Sequence, residues 1–201
     1  MNRPTALVAA LAGPALAGVG MSFGQTVAPD ALAPFFNSAA PVAAIAVVAA
    51  LAGRRRWQAT ALAALAGPMT MAGYYGTSAV RGFGVASSWI VFWCTVGVAV
   101  GAVLGNAIWV LRAGGSERST RLSRGLAVAV WPGIAVGEAA HGIVRIGDST
   151  PVGYWWTQCA VGVAILVATC LWRARQRLSV TVAVLGTVMV ASGLFLTYGA
   201  L

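Results

Sequence analysis

Apolar stretches follow one another along almost the whole chain, separated by short polar punctuation. A helix needs about 20 mainly apolar residues to cross the hydrocarbon core of a bilayer. Seven runs meet that length: residues 5–24, 34–53, 57–78, 87–111, 125–146, 152–172 and 178–199. The pattern predicts an all-α membrane protein, a single polytopic domain over residues 1–201 that forms a bundle of seven transmembrane helices. The first run also has the form of a secretory signal, with Arg3 ahead of an Ala-rich stretch and small residues from Gly18 to Ser22. Its removal leaves six helices. Pro14 interrupts that run and no A-x-A site precedes Gln25, which favours a retained helix.

Composition sharpens the choice of solvent. The 201 residues are 59% hydrophobic and 8% charged, with a mean hydropathy of +0.83, so too few polar side chains exist to cover a water-soluble globule. The formal net charge of +9 comes from thirteen arginines, no lysine and four acids. Arg3, Arg54 to Arg56, the loop set Arg112, Arg118, Arg121 and Arg124, and the set Arg173, Arg175 and Arg177 all fall on one side of the seven runs. Only Arg81 and Arg145 fall outside. The positive-inside rule therefore predicts an N-in, C-out, multi-pass protein of the cytoplasmic membrane. The lipid bilayer accounts for the basic balance, and no soluble domain is left to bind nucleic acid.

Few residues carry recognisable chemistry. Cys94, Cys159 and Cys170 lie inside apolar runs without CxxC or Cys/His spacing and read as small buried hydrophobes. Cys94 and Cys159 sit near helix starts on the same side, which leaves a disulfide between them open. One histidine and one nearby acid do not complete a metal ligand set, and no cofactor motif is present. Ala9 to Pro14 and Ala63 to Pro68 share the hexapeptide AALAGP, and Trp131-Pro132-Gly133 lies at a comparable depth. These prolines predict a mid-membrane kink in helices one, three and five. Gly97, Gly101 and Gly105 form a double GxxxG ridge suited to close backbone approach, with a weaker ridge at Ala9, Gly13 and Ala17. The partner of the glycine ridge is either an internal helix or another membrane protein.

The sharpest candidate is a polar stripe on helix five. At 100° per residue, Glu138, His141 and Arg145 share one face, and Trp131 extends it inward. Glu138 is the only acid inside any apolar run. An intramembrane carboxylate costs about 2.5–3.5 kcal/mol on insertion scales and should face the bundle interior or a cavity. It lies roughly 20 Å of rise beyond Gly125, in the outer half of the membrane. Asn37, Tyr74, Tyr75, Trp89, Trp93, Tyr154, Trp155, Trp156 and Gln158 fall at the same level. The expected site is an outward pocket with aromatic walls, binding a small molecule through Glu138, His141, Arg145, Tyr74, Tyr75, Trp93, Asn37 and Trp131. The alternative is that aromatic residues anchor the interface and Glu138 pairs structurally with His141 or Arg145.

The run Asn37-Ser38-Ala39-Ala40-Pro41, Gly73-Tyr74-Tyr75, Phe92-Trp93 and Gly137-Glu138 resemble a family of small actinobacterial membrane proteins classified only as a domain of unknown function. That resemblance implies a membrane-embedded helical fold and no established activity. The small-residue ridge on helix one and the outward polar level are also similar to the substrate-binding subunits of energy-coupling-factor transporters. That second resemblance implies an outward pocket and a partner subunit. Three functions follow from the residues: transport or solute binding through the pocket; a membrane-embedded isomerase or cyclase with Glu138 and His141 as candidate catalytic groups; and a structural or accessory membrane subunit.

Overall fold

The computed structural model describes residues 3–113, 118–172 and 177–199. Among them are seven α-helices: α1 (Arg3–Val27), α2 (Ala39–Leu51), α3 (Arg56–Val80), α4 (Ser87–Ala113), α5 (Arg118–Arg145), α6 (Val152–Trp172) and α7 (Arg177–Gly199). A 3-10 helix, Asp30–Asn37, precedes α2. Arg173, Arg175 and Glu117 lie outside the described residues. Five helices, α1, α4, α5, α6 and α7, are long and apolar enough to cross a membrane, the make-up of a multi-pass membrane protein.

Two of the seven expected spans take another form. Residues 34–53 are not one helix: the 3-10 helix and α2 meet at Ser38 at an angle of 52°, the geometry of a broken span or a re-entrant loop, and the pair makes a sixth span if counted as one. Pro34 and Pro41 flank the break and remove two backbone donors from it. Helix α3 is long but falls short of the apolarity of the other five. It packs against α4, α1 and α2 and buries Ala59, Ala63, Ala66, Gly67 and Thr70 there, so much of its surface never meets lipid.

Lipid offers helices no hydrophobic reason to associate, and the interfaces here are accordingly made by small residues that let backbones touch. A methyl group on Gly101 would lie 2.2 Å from the Ala63 carbonyl oxygen, and one on Gly105 2.4 Å from that of Ala59. The glycine ridge of α4 is thus taken up by α3 within the chain. Gly18 and Gly73 fit α1 to α3 in the same way, against Thr70 and Ala15 respectively. The shared hexapeptide does not carry a shared environment: Gly67 lies on Gly97, whereas nothing approaches Gly13 within 4 Å. Pro14, Pro68 and Pro132 each lie within an uninterrupted helix. Arg112 donates to the carbonyls of Leu51 and Gly53 at 3.1 and 3.0 Å, and Arg56 Nε to Asn106 Oδ1 at 2.7 Å, which ties the α2–α3 turn to α4.

Helix α5 lies between α7, α6, α4 and α2. Of its apolar window 61% is buried, against 17% for α6 and α7, so it is the helix that can hold polar groups away from lipid. Cys94 and Cys159 are free thiols and are not joined in this structure.

Gly101→Ala should therefore destabilise the bundle by about 1–3 kcal/mol, because α3 and α4 must part to admit the methyl group. Gly76→Ala, with nothing within 4 Å, should be neutral or stabilise by up to about 1 kcal/mol through helix propensity. Thermal unfolding of the two variants in detergent checks the pair, at about 2–4 °C per kcal/mol for a chain of this size.

Candidate functional site

Every α-helix begins with backbone N–H groups that have no partner in the preceding turn. At the start of α2 they belong to Ala39 and Ala40, since Pro41 has none. Ser38 occupies the N-cap position in extended conformation, yet its side chain does not cap its own helix. Glu138 of α5 does so instead. Ala39 N–H donates to its Oε1 at 2.6 Å and Ala40 N–H to its Oε2 at 2.9 Å. Ser38 Oγ lies 2.6 Å from Oε2 and 3.0 Å from Gln158 Oε1, so its one proton is shared between two acceptors. Gln158 Nε2 donates to Oε2 at 3.0 Å and Tyr198 OH to Oε1 at 3.2 Å.

Five donors thus converge on one buried carboxylate. Hydrogen bonds to a charged group contribute about 1.5–3 kcal/mol each. Two of them offset the roughly 2.5–3.5 kcal/mol of placing the acid in a membrane. The favourable end of the α2 dipole adds to that balance. A second layer fixes the donors. Tyr154 OH donates to Gln158 Oε1 at 2.5 Å and Gln158 Nε2 also reaches the Ala135 carbonyl at 3.2 Å.

Beside this cap is a cavity of about 380 Å³ bounded by α2, α3, α4, α5 and α7. Asn37, Tyr74, Tyr75, Trp93, Glu138 and His141 all line it. Tyr74 and Tyr75 stand edge to face with centroids 5.1 Å apart, and Trp93 meets Tyr198 at 5.8 Å. Tyr74 OH donates to Gln25 of α1. The His141 ring lies against Tyr198 at 4.9 Å, and its Nδ1 is buried without a partner among the described residues. Away from Glu138 the lining becomes small and apolar, with Ala43, Ala46, Gly67, Gly97, Val100 and Ile134.

The other two residues of the expected site lie elsewhere. Trp131 lines a separate apolar groove of about 1090 Å³ between α1, α2 and α6, because α2 stands as a partition between that groove and the cavity. Arg145 is exposed, with its guanidinium 5.8 Å from the Phe195 ring centroid, and does not line the cavity. Neither Arg145 nor His141 is the partner of Glu138. Two participants, Ser38 and Tyr198, lie outside the expected site. Ser38, three residues before Pro41, carries a helix-start signal that the surrounding apolar run conceals. Tyr198 comes from the far end of the chain and nothing local marks it. Among the described residues no group of three His, Cys, Asp or Glu could hold a metal ion.

Glu138→Ala should orphan the Ala39 and Ala40 amides, at about 1–3 kcal/mol each. Glu138→Gln keeps one acceptor and should lose less, and Ser38→Ala should lose on the order of 1 kcal/mol. Melting temperatures in detergent falling in the order wild type, Ser38→Ala, Glu138→Gln, Glu138→Ala would bear this out; a Glu138→Ala protein as stable as wild type would not.

No curated protein and no solved structure matches the chain. One family model does, and it covers residues 1–201. The broken span, its acidic cap and the neighbouring cavity are therefore features of a member of the family of unknown function DUF6518, to which this chain belongs.

Proposed function

We propose that this protein binds a small solute in the outer cavity as part of transport across the cytoplasmic membrane, with the N-terminus inside and α5 at the centre of the site. The observation that carries the reading is the cavity itself. At about 380 Å³ it falls within the range of roughly 300–1,000 Å³ usual for small-molecule sites. It is mostly apolar with a few convergent polar groups at one end. A break in a membrane-crossing helix beside the solute site is also the arrangement by which many transporters bring backbone dipoles to bear on a solute. In this chain the α2 terminus faces a side chain of the protein, so Glu138 keeps the break closed while the solute occupies the space beside it.

An enzymatic reading finds less support. A membrane-embedded cyclase calls for a second acid, and Asp30 and Asp148, the other described acids, do not line the cavity. A general acid must also release its proton to substrate. Both oxygens of Glu138 face hydrogen-bond donors that hold α2 in place.

The reading is tested by filling the cavity. Val96 lines it from α4, is only half-buried and takes no part in the Glu138 hydrogen bonds, so Val96→Trp places an indole in the solute's space without removing any of them. Purified wild-type protein should carry or take up a small molecule detectable by native mass spectrometry, and Val96→Trp should lose it by tenfold or more at an unchanged melting temperature. Equal occupancy in the two proteins would exclude the cavity as the site.

A further inference from the structure

We propose that the cavity takes an organic monocation, and among these an alkylated ammonium in preference to a primary one; this rests on the reading of the cavity as a solute site. The first observation is the distribution of charge. The chain carries thirteen arginines, yet none of those whose side chains are described lines the cavity, and among the described residues the only side chain there of fixed charge sign is the carboxylate of Glu138. The arginines nearest in sequence to the outer level are engaged elsewhere. Arg81 bonds Ser22 and Thr26 with its guanidinium 4.4 Å from the Phe23 ring centroid, and Arg145 lies over Phe195. An anion entering the cavity would be buried beside a carboxylate with no described cation in the wall, since Arg145 acts on His141 only from outside the lining, whereas a cation finds its counter-charge in place. The α2 dipole, equivalent to roughly half a unit of positive charge, offsets only part of that negative charge.

The second observation is the wall. Tyr74, Tyr75, Trp93 and Tyr198 surround the polar end, and aromatic faces attract cations most strongly where water is excluded. The third is what decides between kinds of cation. Ser38, Ala39, Ala40, Gln158 and Tyr198 already donate to the carboxylate, so its oxygens have little left to accept from a new N–H donor. A primary ammonium brings three N–H groups that need acceptors, and with the carboxylate already taken it has to divide them between Asn37, Tyr75 and the Nδ1 of His141, which are weaker acceptors than a carboxylate. A tetraalkylammonium brings none. It is held by the through-space field of the carboxylate and by the rings, and its apolar substituent extends toward Ala43, Ala46 and Val100.

Four probes that share a benzyl or phenyl group and differ in charge separate these terms: benzyltrimethylammonium, benzylammonium, benzyl alcohol and phenylacetate. Binding to the purified full chain in nanodiscs is measured by calorimetry, with the Val96→Trp protein subtracted for partition into lipid. The expected order places benzyltrimethylammonium first, at least tenfold tighter than phenylacetate and benzyl alcohol, with benzylammonium weaker than its trimethyl analogue. Trp93→Leu should weaken the quaternary cation by fivefold or more and leave benzyl alcohol within twofold. Glu138→Gln, where it folds, should do the same. If benzyl alcohol or phenylacetate binds wild type as tightly as the cation and Val96→Trp abolishes it, the cavity is a solute site and the cation assignment is overturned. Benzylammonium binding tighter than benzyltrimethylammonium would overturn the preference for alkylation. Should none of the four bind wild type more tightly than Val96→Trp, the assignment and the solute-site reading fall together.

Discussion

A helix that starts inside a membrane must find partners for its first N–H groups without water, and the arrangement of this protein follows from how α2 solves that problem. Ser38 is turned outward from its own helix and Pro41 removes one donor, which leaves Ala39 and Ala40 to be met. The two oxygens of Glu138 take one each, from a helix about a hundred residues away in sequence. The exchange is reciprocal. The acid could not be held in an apolar helix without donors, and the broken span could not be held in lipid without an acceptor. Because the bond fixes α2 against α5, it also fixes α2 as the wall between the lateral groove and the cavity.

The cavity exists because the α3–α4 interface changes character along its length. At Gly105 and Gly101 the backbones touch so closely that a methyl group would stand 2.4 and 2.2 Å from a carbonyl oxygen, while at Gly97 the nearest atom is 3.0 Å away. Beyond Gly97 come Trp93 on α4 and Tyr74 and Tyr75 on α3, side chains too large for backbones to meet across. The glycine contact therefore ends where the aromatic level begins. The space between is lined by rings at one end and by alanine, glycine and valine at the other. Small residues hold the bundle together below, and bulky ones hold it apart above.

The sequence makes the helices and the polar level legible, for reasons that also limit what it can say. Hydropathy marks apolar length, so α1, α4, α5, α6 and α7 are visible as membrane-crossing segments. It is blind to a break within an apolar run, and residues 34–53 therefore look like one span although Ser38 divides them. Helical periodicity brings Glu138 and His141 to one face, and depth along the helix brings Tyr74, Tyr75, Trp93 and Asn37 to their level; all six line the cavity. Periodicity does not tell what lies opposite that face. Trp131 shares the stripe with Glu138 but meets the other side of α2, and Arg145 passes beyond the bundle to the surface. The glycine ridge was readable as a contact surface, and only the folded chain identifies α3 as its occupant.

The same carboxylate that closes the break in the second span is the negative charge of the cavity. Any solute attracted by that charge therefore pulls on the group that holds α2. A cation that competes with Ala39 and Ala40 for the carboxylate oxygens loosens the helix start, while one that leaves those bonds intact strengthens the field around them and is accommodated without disturbing the partition. Discrimination between primary and alkylated ammonium is thus a structural matter as well as one of affinity. A ligand that takes hydrogen bonds from the cap works against the fold, and a ligand held by rings and field alone does not. Other hydrogen bonds between helices, such as those of Arg56, Arg81 and Arg112, lie away from the cavity, whereas at this junction occupancy of the cavity and the position of a helix are governed by one group.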